Sequence, residues 1–224
     1  MLEKYWRLQT IVRNFDHKVG IWNEDFMISP RQLEEREARK KRIIQGALQV
    51  FQEKGLEGAT MDEIASAAGF GKATLYYYFS SKEEVFSQIM EQGWKALWSG
   101  IEEMIHLTGS AREKFIQTLN KIAEITLTDR NLYTFLFTAH QTLAGAPTEL
   151  QSWKTYQDRI YGALKGLLEE GLAQGEFPPL NADVLLRAIG GLFHGLMFLG
   201  NRSHTLKKAD IEQLIARLLD AQAP

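Results

Sequence analysis

The sequence predicts an all-α fold, and three observations carry that expectation. Apolar residues recur at helical spacing along most of the 224-residue chain, as at Ile43, Ala47, Val50 and Phe51. No stretch alternates apolar and polar residues for long enough to read as a strand. Between the periodic stretches stand residues that start and stop helices: Ser or Thr with Glu three positions later at one end, Gly or Pro at the other.

Taken in order, a helix over 34–54 follows Pro30 and stops at Gly55 and Gly58. Thr60 is the expected N-cap of a short helix, with Glu63 closing a capping box and Ile64, Ala65 and Ala68 as the apolar stripe. Gly69 breaks that helix, and another short one covers Lys72 to Phe79. Ser81 and Glu84 form a second expected capping box, opening a long helix over 81–106 that carries Val85, Phe86, Ile89, Trp94, Leu97, Trp98 and Ile101. Further helices are expected near 110–127, 130–144, 147–174, 182–201 and 207–221. The breaks are Thr108-Gly109, Asp129, Gly145 to Pro147, Gly175 to Pro179 and Ser203 to Leu206. Three parts result: an extension over 1–33, a helix-turn-helix domain over 34–82 and a helical body over 83–224. Residues 1–26 match no motif; Met27 is an alternative translation start, and the other reading is an arm using Trp6, Arg7, Arg13 and Trp22.

Composition narrows the function. With 45% hydrophobic residues the chain can bury a core. With no cysteine it has no disulfide, thiolate nucleophile or Cys-type zinc site. Neither the amino terminus nor the apolar stretch Val184 to Leu199, which contains Arg187 and His194, fits a signal peptide or membrane span, so a soluble, cytoplasmic protein is expected. Net charge is −2, unevenly spread: residues 31–82 hold nine Lys/Arg against seven Asp/Glu, and residues 83–224 hold thirteen against seventeen.

Enzyme motifs are missing. Gly71-Lys72 is followed by Ala73 where a P-loop needs Ser or Thr, and no strand precedes it. There is no G-x-S-x-G nucleophile motif. His17, His106, His140, His194 and His204 show no metal-ligand spacing. The expectation is a non-enzyme without metal or cofactor.

The informative segment runs from Thr60 to Phe79. Two short helices joined by a tight Gly-containing turn make a helix-turn-helix. Ala65 and Ala68 are small where the helices cross, and Leu75 with Phe79, at i and i+4, face inward. The other face of the second helix then presents Lys72, Ala73, Thr74, Tyr76, Tyr77 and Tyr78. Eight residues cannot bury three consecutive tyrosines; phenolic hydroxyls suit phosphate oxygens, and Lys72 adds a positive charge.

Thr60, Gly69, Lys72, Thr74-Leu75-Tyr76, Phe79 and Ser81-Lys82-Glu83 together resemble the DNA-binding domain of the tetracycline-repressor-like (TetR) family. The resemblance covers residues 37 to about 97. It implies that Thr60, Tyr76, Tyr77 and Lys82 hold phosphates, while Gly71, Lys72, Ala73 and Thr74 approach base edges in the major groove and Tyr78 touches either. Many members have a polar residue, often serine, where Gly71 stands, so this chain loses a side-chain contact and cap at that point.

A single recognition helix reads only a few base pairs, so a homodimer on a near-palindromic operator is expected. Its surface is expected on the last two helices, through Phe193, Leu196 and Met197 beside Gly190, Gly191, Gly195 and Gly200, and through Ile211, Leu214, Ile215 and Leu218. The family resemblance implies that these helices form an intersubunit four-helix bundle; the alternative is that both stripes pack within one subunit. The resemblance also implies a pocket for a mostly apolar small molecule among Trp94, Trp98, Phe115 and Phe137, with polar handles from His140, Gln141, Tyr156 or His194. The expected function is a ligand-responsive regulator, a repressor released from duplex DNA when effector tilts the helix over 81–106. The alternative is an all-helical scaffold whose helix-turn-helix docks a protein partner.

Overall fold

The computed structural model describes residues 29–139 and 148–199, with Gln213, Leu214 and Arg217 besides. Two compact units divide the chain, Met1–Arg39 and Lys40–Pro224. In the first, a capping box starts helix α1 (Pro30–Gly58): the Ser29 N–H donates to Gln32 Oε1, and the Gln32 N–H to Ser29 Oγ. Pro30 suits the first helical position, where its missing N–H has no intrahelical partner anyway.

Among the described residues the fold is all-α. After α1 come α2 (Met61–Ala68), α3 (Lys72–Tyr78), α4 (Lys82–Ile105), α5 (Ala111–Thr128), α6 (Arg130–Ala139), a 3₁₀ turn at Thr148–Gln151, α7 (Lys154–Ala173) and α8 (Ala182–His194), which ends in a π-helical turn at Gly195–Leu199. Several helix ends differ from the sequence expectation, the start of α1 at Pro30 rather than at 34 among them. Helix α1 resumes for three residues beyond Gly55, whose φ of 69° interrupts it, and the resumed stretch buries Leu56. The single helix expected over 147–174 is a 3₁₀ turn and a separate α7, with the buried Trp153 ring at the junction. At Ser81 only half the expected capping box forms: Ser81 Oγ accepts from the Glu84 N–H, but the Glu84 carboxylate takes the Ser80 N–H and hydroxyl instead.

The core starts where α1–α3 meet. Ile43, Ala47, Val50 and Phe51 of α1 pack on Ile64 and Ala65 of α2 and on Leu75 and Phe79. It continues through Val85, Phe86 and Ile89 of α4 into the body. Phe51, Phe86 and Phe135 form one aromatic cluster, with ring centroids 5.7 Å apart for Phe51–Phe86 and 5.3 Å for Phe86–Phe135, and so join α1, α4 and α6. No described helix is long and apolar enough to cross a membrane.

Candidate functional site

The helix-turn-helix is built by caps and anchors rather than by helix propensity. Seven residues are too few for α3 to persist alone in water. Leu75 and Phe79, 0% and 2% exposed, hold it against α1 and α2. Burying each is worth about 2 kcal/mol, enough to fix so short a helix. At the start of α2, Thr60 Oγ1 accepts from the Glu63 N–H while Glu63 Oε2 accepts from the Thr60 N–H and hydroxyl. Lys54 of α1 reaches the other oxygen of Glu63 at 2.5 Å. Those partners hold the Glu63 carboxyl below the usual carboxylate value, the Lys54 bond being the largest cause.

The turn between α2 and α3 is a Schellman motif. Gly69, at φ 71°, sends its N–H to Ser66 O, and the Phe70 N–H goes to Ala65 O. Arg42 of α1 takes a further carbonyl, donating from Nη2 to Ala68 O at 3.2 Å, and its guanidinium lies over the Phe70 ring. Here the sequence reading missed a residue. Ala65 and Ala68 are buried as expected, but the tight crossing is with Gly46 of α1, where an added Cβ would sit 2.6 Å from Ala68 N. Its place on the inner stripe of α1, three residues after Ile43, was the available signal.

Packing of α3 leaves one face to solvent. Gly71, Lys72, Ala73, Tyr76 and Tyr77 are exposed, Tyr77 most of the tyrosines at 71%. Thr74 is half-buried, and Tyr78 packs partly on the core with the Tyr77 ring against it at 5.1 Å. Gly71 is the N-cap of α3 with no side-chain cap bond. Lys72 Nζ bridges to Asp62 of α2 at 2.9 Å, and that partner raises its pKa. Both side chains are more than half exposed, so water and salt screen the pair and it exchanges readily for another anion. Lys82 takes a role the sequence did not suggest: its ammonium donates to Glu57 O at 3.0 Å and Ala59 O at 3.2 Å, closing the end of α1. Thr60 likewise spends its hydroxyl inside the capping box.

The body holds a cavity of about 170 Å³ between α4, α5, α6, α7 and α8. Of the expected pocket residues, Trp94, Phe137 and His194 stand in its wall. Trp98, Phe115 and Tyr156 do not. Phe115 is fully buried against Phe177, with ring centroids 5.9 Å apart, while Trp98 and Tyr156 lie half-buried beside the Arg159 guanidinium. His140 and Gln141 lie outside the described residues. The sequence reading missed the aliphatic lining, chiefly Leu97, Leu119, Ile122, Ile160 and Ile189; the ring of Tyr161 also stands in the wall. Tyr161 keeps 42% of its surface open, yet burial of the remainder raises its hydroxyl pKa.

Two expected dimer contacts are also placed differently. Phe193 lines the cavity and Met197 is buried at 3%, so both side chains are covered within their own subunit. A helix that buries Leu185, Ile189 and Phe193 at i, i+4 and i+8 turns Val184, Arg187, Ala188 and Gly191 outward. Leu196 is half-buried and Leu214 is 38% exposed, while Ile211, Ile215 and Leu218 lie outside the described residues, as does the segment before Ser29 with its Met27.

Comparison with known proteins settles what this architecture is. Residues 43–89 match the family model for bacterial regulatory proteins of the tetR family. Residues 108–197 match the model for the tetracyclin repressor-like C-terminal domain, and the two ranges cover more than half the chain. The chain belongs to the TetR family. Its helix-turn-helix is thus the DNA-binding part of a TetR-family transcriptional regulator. The HTH-type transcriptional regulator YfiR of Bacillus subtilis is 27% identical over 197 residues, 81% of this chain and 88% of YfiR. IcaR of Staphylococcus aureus, the negative transcriptional regulator of the biofilm operon icaADBC, is 27% identical over 129 residues, 57% of this chain and 62% of IcaR. Among solved structures, AibR in complex with isovaleryl coenzyme A and operator DNA has the same fold, with a TM-score of 0.70 at 19% identity over 81% of this chain and 98% of AibR. PfmR from Thermus thermophilus aligns with a TM-score of 0.66 at 23% identity over 80% of this chain and 99% of PfmR.

Proposed function

We propose that this TetR-family regulator is a repressor that binds a near-palindromic operator as a homodimer and is released by a small, mostly apolar effector. The observation that carries the DNA-binding half is the division of α3: Leu75 and Phe79 face the core, while Lys72, Ala73, Tyr76 and Tyr77 are left open. On this reading residues 34–82 form the DNA-binding domain and residues 83–224 the effector and dimer domain. The exposed hydroxyls of Tyr76 and Tyr77 and the Lys72 ammonium contact phosphates, and Gly71, Ala73 and Thr74 lie closest to base edges. Thr60 and Lys82 act from behind, by fixing the start of α2 and the end of α1, and add only what their remaining hydrogen-bonding capacity allows. Repression as the sign of control is supported by IcaR, a negative regulator. A site for a small molecule in the body is supported by the cavity beside Trp94 and by AibR, which carries both isovaleryl coenzyme A and operator DNA.

The dimer reading uses the outward face of α8, from Val184 through Arg187 and Ala188 to Gly191, with Leu196 and the segment around Leu214. Two recognition helices related by a two-fold axis would then meet successive major grooves, about 34 Å apart.

Selecting bound sequences from a random duplex library tests the whole reading. The expected result is a palindromic consensus, bound with an affinity that falls steeply as salt rises, because released counterions dominate such binding. Enrichment of no sequence, with affinity insensitive to salt, would sink the proposal and favour a protein-docking role.

A further inference from the structure

The start of α3, where the proposed function places the base contacts, has no cap of its own. Thr60 and Ser81 cap α2 and α4 through their hydroxyls, but Gly71 offers α3 no side chain. The first buried anchor of α3, Leu75, comes one turn later. The placement of this end therefore depends on the turn before it, in which Phe70 stands between Gly69 and Gly71. Glycine loses more conformational freedom on ordering than any other residue, so such a turn benefits most from a grip supplied from outside.

Arg42 of α1 supplies that grip. Its Nη2 donates to Ala68 O at 3.2 Å, and its guanidinium carbon lies 4.7 Å from the centroid of the Phe70 ring. A Cβ added at Gly69 would sit 2.9 Å from the same Nη2, so the guanidinium also lies against the left-handed residue of the turn. The Ala68 carbonyl belongs to the negative end of α2, and the ring offers its π face; both favour a cation. One planar side chain thus meets Ala68, Gly69 and Phe70 in succession. It does so from a helix held by Ile43 and Ala47, which are fully buried beside it. Lysine has the charge but not the plane, so it does not replace this contact.

We propose that Arg42 is a positioning residue for base recognition. Acting through Phe70 and the turn, it fixes how the uncapped start of α3 is presented to the base edges. This rests on the reading of Gly71 to Thr74 as the segment nearest the bases. Its signature is a loss of discrimination between sequences rather than a uniform loss of affinity.

Two probes measure that signature on the full chain: the consensus duplex that wild type selects from a random library, and a random duplex of equal length. The readout is the ratio of the two affinities. Arg42→Met should lower the ratio about tenfold, the discrimination carried by roughly one base pair, and leave the salt dependence as steep as in wild type. Arg42→Lys should do the same. Phe70→Leu should also lower the ratio, and Arg42→Met with Phe70→Leu should lower it no further than either alone, because the two side chains act as one unit. A variant that is only less stable loses both affinities together and keeps the ratio. Full rescue by Arg42→Lys would overturn the proposal. So would an equal loss on both duplexes with a flatter salt dependence, which would make Arg42 a phosphate contact. A ratio unmoved by Arg42→Met overturns it as well, and leaves the base-contact reading of α3 standing. If wild type selects no consensus, that reading falls and the proposal falls with it.

Discussion

At the scale of single residues, the site is shaped as much by what restrains each side chain as by what is exposed. Lys72 is the cation nearest the start of the recognition helix, yet Asp62 holds it at 2.9 Å and places a negative charge on the same surface. A phosphate approaching this face must displace that carboxylate and is repelled by it. Asp62→Asn removes both effects without changing the shape of the side chain. Operator affinity should rise about fivefold, a modest gain because both groups are exposed and screened. The gain should be nearly uniform across sequences, because the contact is to phosphate. Filter or fluorescence titration on operator and random duplex checks this; an unchanged or weaker affinity would show that Lys72 does not face the backbone. The same residue scale marks the limit of sequence reading. Leu75 and Phe79 were legible as anchors from their i, i+4 spacing, and Tyr77 as exposed from the crowding of three tyrosines. The hold of Lys82 on the carbonyls of Glu57 and Ala59 was not, because that contact spans more than twenty residues and depends on where two chain segments meet.

At the scale of elements, helix ends carry the information. The capping box at Thr60 and Glu63 was readable directly, since its two bonds are local and its residue types are specific. Its third partner, Lys54, comes from α1 and appears only on folding. This pair gives the start of α2 a pH response of defined sign. The folded Glu63 pKa lies below its ordinary 4.5, so its contribution is fully present above that value and is lost as pH falls through the depressed folded pKa. The Glu63 side-chain carboxyl, followed by carbon-13 NMR, should therefore titrate with a midpoint below 4.5, and Lys54→Met should move that midpoint up towards it. A midpoint at or above 4.5 would mean that the Lys54 contact does not persist in solution. Further along, Lys165 of α7 and Asp183 of α8 make a comparable tie at 2.8 Å between two of the helices that line the cavity. The aliphatic cavity lining was harder to foresee. Leu119, Ile122 and Ile160 look like any inner stripe in the sequence, and only the packing of five helices decides which of them face a void.

At the largest scale, that of the whole Lys40–Pro224 unit, the question is how a cavity event reaches α3. Helix α4 offers a direct route, because Lys82 at its start closes the end of α1 and Trp94 stands in the cavity wall twelve residues later, about 18 Å along the helix. The Phe51–Phe86–Phe135 cluster presses α4 against α1 between those two points. On the proposed reading, an occupied cavity tilts α4, and Lys82 and the Phe51–Phe86 contact, which tie α4 to α1, pass that tilt to α1 and to the α3 packed on it. Ligand and operator then compete only through their differential affinity for the two positions of α4. On that reading the coupling must be reciprocal: whatever factor a cavity ligand takes from operator affinity, operator must take from its affinity, within the range of about 5–150-fold seen for such linkage. Phe86→Leu keeps the core apolar but loosens the grip on α1. It should leave binding of a cavity ligand to free protein near wild type while bringing the coupling factor towards one. Calorimetric titrations with and without operator measure both quantities. Equal affinity of the cavity ligand in the two states of the wild type would break the link between cavity and helix-turn-helix, leaving α4 a passive strut.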